Sequence, residues 1–131
     1  MIVLDTHIWL WWLTLDDKSL KRSRRDAIAG AKSIGGSAIS CFEVAWLVHR
    51  GRVEVPVALD AWFEAALDGS GVNLLPITPR VAQLAVELPE HHRDPYDRLI
   101  IATAIVNDAQ LISADGHFPA YEEVAGRLIR D

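Results

Sequence analysis

Asp94-Pro95-Tyr96-Asp97-Arg98-Leu99-Ile100-Ile101-Ala102-Thr103-Ala104 reads as the start of a helix. Asp94 suits the N-cap, where a carboxylate accepts from the unpaired N–H groups of the first turn. Pro95 fits the first helical position, which needs no N–H partner. Asp97 then falls third, near the positive end of the helix dipole. From Leu99 to Val106 the segment turns apolar, so this helix is buried and carries carboxylates at its mouth. Alone, that is a well-capped helix. It becomes a site only if other segments bring acids to the same place.

Working outward, Ile2-Val3-Leu4 is a short continuous apolar run, the pattern of a buried parallel strand, and it ends at Asp5. Thr6 is expected to cap a following helix that carries Trp9, Trp11 and Trp12. One helix face cannot bury all three, so at least one is expected on a contact surface for a partner helix. Residues 16–32 read as a second helix holding the basic cluster Lys18, Lys21, Arg22, Arg24 and Arg25. Ile34 to Ile39 reads as a strand. Ser40-Cys41-Phe42-Glu43 has the form of a capping box for a helix reaching Arg50 and stopped by Gly51. Val57 to Leu67 is amphipathic, Val72 to Leu75 a strand, and Thr78-Pro79 opens a helix to about Leu88. After the Asp94 helix come a strand over Ala109 to Ser113, then Asp115-Gly116. A short helix at 117–123 and an edge strand at Arg127 to Ile129 complete the pattern.

The 131 residues suit one domain spanning 1–131. Half are hydrophobic and a quarter charged, a globular composition. A net charge of −5 argues against binding nucleic acid by bulk electrostatics, yet allows an enzyme whose clustered acids are neutralised by cations. The single cysteine, Cys41, excludes an internal disulfide and fits a reducing, cytoplasmic setting. The apolar start lacks a basic n-region, so no signal peptide is expected, and no apolar run reaches the roughly 18 residues of a membrane span.

Short apolar strands alternating with helices imply an α/β fold: three α/β/α layers around a short, mainly parallel sheet. Such sheets bind ligands beyond the carboxyl ends of their strands. Asp5, Glu43 and Asp115 each fall at or just past a strand end, and Asp97 opens a helix expected to pack on the same sheet. Singly, Glu43 could complete a capping box, Asp97 favour a dipole and Asp115 shape a turn. Together they would repel one another, and a hard divalent cation with oxygen ligands relieves that repulsion. Other chemistries lack their parts. There is no G-x-G-x-x-G, no Walker A segment and no G-x-S-x-G. Asp5-Thr6-His7 lacks the second acid of a D-x-D phosphatase, and His91-His92 reads as a solvated loop.

Ile2-Val-Leu-Asp5-Thr6, Ser40-x-x-Glu43, Asp94-Pro-Tyr-Asp97-Arg-Leu-Ile and Leu111-Ile-Ser-Ala-Asp115, in that order, resemble the PIN domain in its short form, the VapC-type toxins of toxin–antitoxin pairs. Each motif is weak alone; the four in order at this length are specific. The resemblance implies a Mg²⁺- or Mn²⁺-dependent ribonuclease, usually a homodimer, held inactive by a cognate antitoxin protein. By motif position Asp5, Glu43, Asp97 and Asp115 match the family's acids, with Asp94 and Thr6 in supporting positions. Gly116-His117 departs from the polar or basic residue that often follows the last acid. Asp5 and Asp97 are the expected direct metal ligands, and Glu43 and Asp115 would hold water or a second ion. Lys18, Lys21, Arg22, Arg25, Arg93 and Arg98 are candidates for RNA backbone contact. The alternative is a catalytically inactive PIN-like module that binds protein or RNA.

Overall fold

The computed structural model describes residues 1–14, 16, 18–89, 94–114 and 126–129. Among the described residues four strands, β1 (Ile2–Leu4), β2 (Ile34–Ser37), β3 (Val72–Leu75) and β4 (Gln110–Ile112), form one sheet in the order β3-β2-β1-β4. Every pairing is parallel, with Val3 beside Gly35 on one side and Leu111 on the other. Leu128 bridges to Leu111 in parallel and extends the β4 edge, where the edge strand was expected. The helices are α1 (Thr6–Thr14), α2 (Arg22–Ala29), α3 (Ala38–His49), α4 (Leu59–Ala66), α5 (Pro79–Glu87) and α6 (Pro95–Val106). The expected helix at 117–123 lies outside the described residues.

Side chains alternate across the sheet, so its two faces build separate cores. Ile2, Leu4, Val72 and Ile112 pack with Ile8, Trp9, Leu20, Ile28, Val44 and Trp62, from α1 to α4 and the segment before α2. Val3, Leu75 and Leu111 pack on the other face against Leu88 and against Ile100, Ile101 and Ala104 of α6. Val81 and Ala85 of α5 close over Ala102. This is the expected three-layer arrangement, and it explains why β1 is apolar at every position.

Local boundaries moved where a neighbour offered better hydrogen bonds. The expected strand to Ile39 ends at Ser37, whose hydroxyl accepts from the Ile39 N–H and caps α3. Ser40 and Glu43 are therefore no capping box: Ser40 is inside the first turn and Glu43 one turn further on. Thr6 is the first helical residue of α1 rather than its cap. Asp5 caps it, Oδ1 accepting from the Ile8 N–H at 2.9 Å. The second helix is only Arg22–Ala29, because Asp16 Oδ1 draws the N–H groups of Lys18 and Ser19 into a turn. Gly51 ends α3 as expected. At φ 71° it lets its own N–H reach the Val48 carbonyl and the Arg52 N–H reach Leu47.

Gly35 marks a close approach between β2 and β3. A Cβ there would lie 2.6 Å from Leu75 Cδ1 and 3.1 Å from Met1 Sδ, whereas one at Gly36 would meet Val72 Cγ1 at 3.4 Å. Gly35→Val should therefore overpack the Val3–Leu75 face and destabilise the fold by about 2 kcal/mol. Gly36→Ala should fall within about 1 kcal/mol of the parent when both variants are compared by urea titration.

Candidate active site

In a parallel sheet all strand C-termini share one edge, and here that edge carries the acids. Asp5 follows β1 directly and is 6% exposed. Besides capping α1, it binds the end of β4: Oδ2 accepts from the Ser113 hydroxyl at 2.6 Å and from the Ala114 N–H at 2.9 Å. Burial pushes its pKa up, opposed by the hydrogen bonds from Ser113, Ile8 and Ala114 and by the nearby positive form of His7.

Glu43 arrives from α3. Its Oε1 lies 2.8 Å from Thr6 Oγ1, which in turn lies 2.9 Å from the fully buried Ser40 Oγ. Thr6 has one hydroxyl proton, and the ionised carboxylate is its stronger acceptor. Ser40 then donates to Thr6, and Thr6 to Glu43. Partial burial is the main influence raising the Glu43 pKa. Thr6 lowers it, repulsion from Asp94 raises it, positive His7 lowers it and Asp5 raises it.

The N-terminus of α6 supplies the rest. Asp94 Oδ1 accepts from the Tyr96 N–H at 2.9 Å, so Asp94 is the expected N-cap, with Pro95 first and Asp97 third in the helix. Asp5, Thr6, Glu43, Asp94 and Asp97 line a single cavity of about 330 Å³ together with His7, Ile100 and Ala114. His7 was missed in the sequence reading; its only signal was its place in the first turn after Asp5. Asp115 and Arg93 lie outside the described residues.

The donor set is carboxylate and hydroxyl oxygen, the chemistry of a hard divalent cation. Among the described residues no three Asp, Glu, His or Cys side chains gather into a ready-made cage. Mg²⁺ does not require one, since it commonly takes one or two carboxylates and retains several waters.

The basic candidates separate from this cavity. The Arg98 guanidinium donates to the carbonyls of Ala85, Val86, Leu88 and Pro89, closing the C-terminal end of α5. Those bonds hold the guanidinium against the end of the helix. Arg22 is exposed and 3.9 Å from Asp26, and Arg25 lies over the Trp12 ring. Neither they nor Lys18 and Lys21 line the acidic cavity. The three N-terminal tryptophans divide by burial. Trp9 is 1% exposed, its Nε1 donating to the Ala66 carbonyl, and Trp11 and Trp12 are partly buried against the same core. Among the described residues the exposed aromatics are Phe42 and Trp46 on α3, stacked at 6.4 Å, with Tyr96 beside Phe42 and the Arg50 guanidinium over Trp46.

Because the Glu43 pKa is raised in the fold, the neutral carboxyl favours folding; that contribution is full below the unfolded value and lost as pH rises through the folded one. Glu43→Gln keeps an acceptor for Thr6 and removes the charge. Without metal at pH 7.5, it should melt about 3 °C above the parent. Calorimetry should show the gap closing as pH falls toward the ordinary carboxylate range.

Residues 2–124 match the PIN domain family. The chain is 36% identical over 115 residues to Ribonuclease VapC22 of Mycobacterium tuberculosis (strain ATCC 25618 / H37Rv), covering 87% of this chain and 86% of that protein. Two solved structures share the fold. One is a toxin–antitoxin complex from Klebsiella pneumoniae, with TM-score 0.65, 20% identity, and 99% and 97% of the two chains covered. The other is VapBC2 from Rickettsia felis bound to a DNA fragment from their promoter, with TM-score 0.69, 19% identity, and 98% of each chain covered. The succession of acids along the sheet edge, the strand order and these matches agree: the chain belongs to the PIN domain family.

Proposed function

We propose that this protein is a divalent-cation-dependent ribonuclease that hydrolyses RNA phosphodiester bonds and serves as the toxin of a toxin–antitoxin pair. The observation that carries the reading is the cavity at the sheet edge, where Asp5, Glu43, Asp94 and Asp97 arrive from three separate segments. The name of the Mycobacterium tuberculosis relative, a ribonuclease, supplies the reaction, and the toxin–antitoxin complexes of the same fold suggest the inhibitor, a cognate antitoxin.

A Mg²⁺ or Mn²⁺ ion held there would lower the pKa of water and offset charge on the phosphate. Asp5 and Asp97 are our choice for direct ligands. Asp5 is fixed by three hydrogen bonds, and Asp97 projects from the first turn of a capped helix. Glu43, steadied by Thr6, would orient water, with Asp115 as its fourth acidic companion. Asp94 serves first as the α6 cap. With water as the nucleophile, no ribose 2′-OH is required for the bond cleavage, so preference for RNA rests on contacts and shape. Lys18, Lys21, Arg22, Arg25 and Arg93 remain our candidates for the RNA backbone.

We place a second copy of the chain on the exposed Phe42–Trp46 face of α3. Two large stacked aromatics about half exposed, at 51% and 47%, are a surface suited to burial. Phe42→Ser with Trp46→Ser should convert a dimer to a folded monomer in light scattering. An unchanged mass would move the interface elsewhere.

Total RNA incubated with the protein, with and without Mg²⁺ or Mn²⁺, should yield new 5′ ends that excess chelator abolishes. Asp97→Asn should lose at least about a hundredfold in rate, the scale of one lost electrostatic stabiliser. Asp94→Asn should stay near the parent, because Asn caps a helix about as well as Asp. No cleavage with any divalent ion would favour a binding module. Near-normal Asp97→Asn beside an inactive, folded Asp94→Asn would reverse the two roles.

A further inference from the structure

Among the described residues lining the acidic cavity, one side chain is basic. His7 sits in the first turn of α1, two residues after Asp5, and is exposed. Among the described residues lining the cavity it is the only side chain that carries an N–H donor. Thr6, the hydroxyl beside it, already faces Glu43 and Ser40. Arg98, the nearest basic residue in sequence to Asp97, is turned to the carbonyls ending α5. The imidazole also has a fixed neighbour. Its ring centroid is 6.0 Å from that of Trp11, one turn along the same helix, and Trp11 packs against the core.

A phosphodiester entering this cavity brings acceptor oxygens and negative charge into a ring of carboxylates. A donor that faces the same space is needed to hold it in place. We propose that His7 is a further substrate-contacting residue, its imidazole N–H donating to a non-bridging oxygen of the RNA phosphodiester in the cavity. Either neutral tautomer carries one N–H, so the contact does not depend on the ring being charged. The inference rests on the ribonuclease reading above and adds to it the residue that grips the substrate's phosphate.

The test measures kcat and KM on a labelled single-stranded RNA containing a mapped cleavage site, and Mn²⁺ affinity by electron paramagnetic resonance without RNA. His7→Ala should lose about thirtyfold in kcat/KM, the size of one hydrogen bond to a charged group. Its Mn²⁺ affinity and melting temperature should match the parent, since the side chain is exposed. His7→Gln, which keeps an N–H donor, should recover most of the loss. Parental kcat/KM in His7→Ala overturns the inference. So does His7→Gln no better than His7→Ala, or a fall in Mn²⁺ affinity matching the fall in kcat/KM. A parent protein inert on every RNA with every divalent ion sinks the ribonuclease reading itself, and the His7 contact with it.

Discussion

The carboxylate of Asp5 joins three parts of the chain that are otherwise only neighbours. One oxygen closes the first turn of α1, and the other holds the hydroxyl of Ser113 and the N–H of Ala114 beyond β4. β1 has three residues and β4 has three, so backbone pairing alone offers little to fix where the two strands end. A buried carboxylate would ordinarily disfavour its charged form, and three donors make its burial tolerable. The same donors restrain the side chain, so the acid at the centre of the site is held by the fold before any ligand arrives.

Around that junction the protein gathers charges that oppose one another. Burial is the main influence raising the Glu43 pKa, and repulsion from Asp94 and Asp5 adds to it. The hydroxyl chain from Ser40 through Thr6 answers it by giving Glu43 a directed donor from the interior side. The helix dipole at the start of α6 does the same for Asp94 and Asp97. Each acid therefore has local support, while burial and the repulsion from Asp94 and Asp5 still act on Glu43. This combination of local support and shared repulsion is what makes the edge a candidate catalytic centre rather than a set of unrelated acids.

The surface outside the cavity divides into surfaces of different chemistry. Arg22 and its basic neighbours lie on and before α2, apart from the acids. Phe42 and Trp46 sit a turn apart on α3, on either side of Glu43 and Ala45 in sequence, while the helix carries Val44 into the core. One helix thus contributes to the core, the acidic cavity and an exposed aromatic face at once.

Features determined by short-range physics were legible in the sequence. The apolar run at Ile2–Leu4 announced a strand covered on both faces, which needs nothing else. Asp94-Pro95 announced the α6 start and Gly51 the α3 end, since caps act within a few residues. The place of Asp5 directly after β1 was readable for the same reason. The partners were not. Asp5 meets Ser113 across 108 positions and Thr6 meets Glu43 across 37. Arg98 finds carbonyls that only the packing of α5 on α6 brings near. Ser37 displaced Ser40 as the α3 cap because the strand ended sooner than its apolar run, and His7 joined the acids only because α1 leaves the sheet edge there. Tertiary structure decided these, since hydrogen-bond partners distant in sequence depend on where the closed sheet and its helices place them.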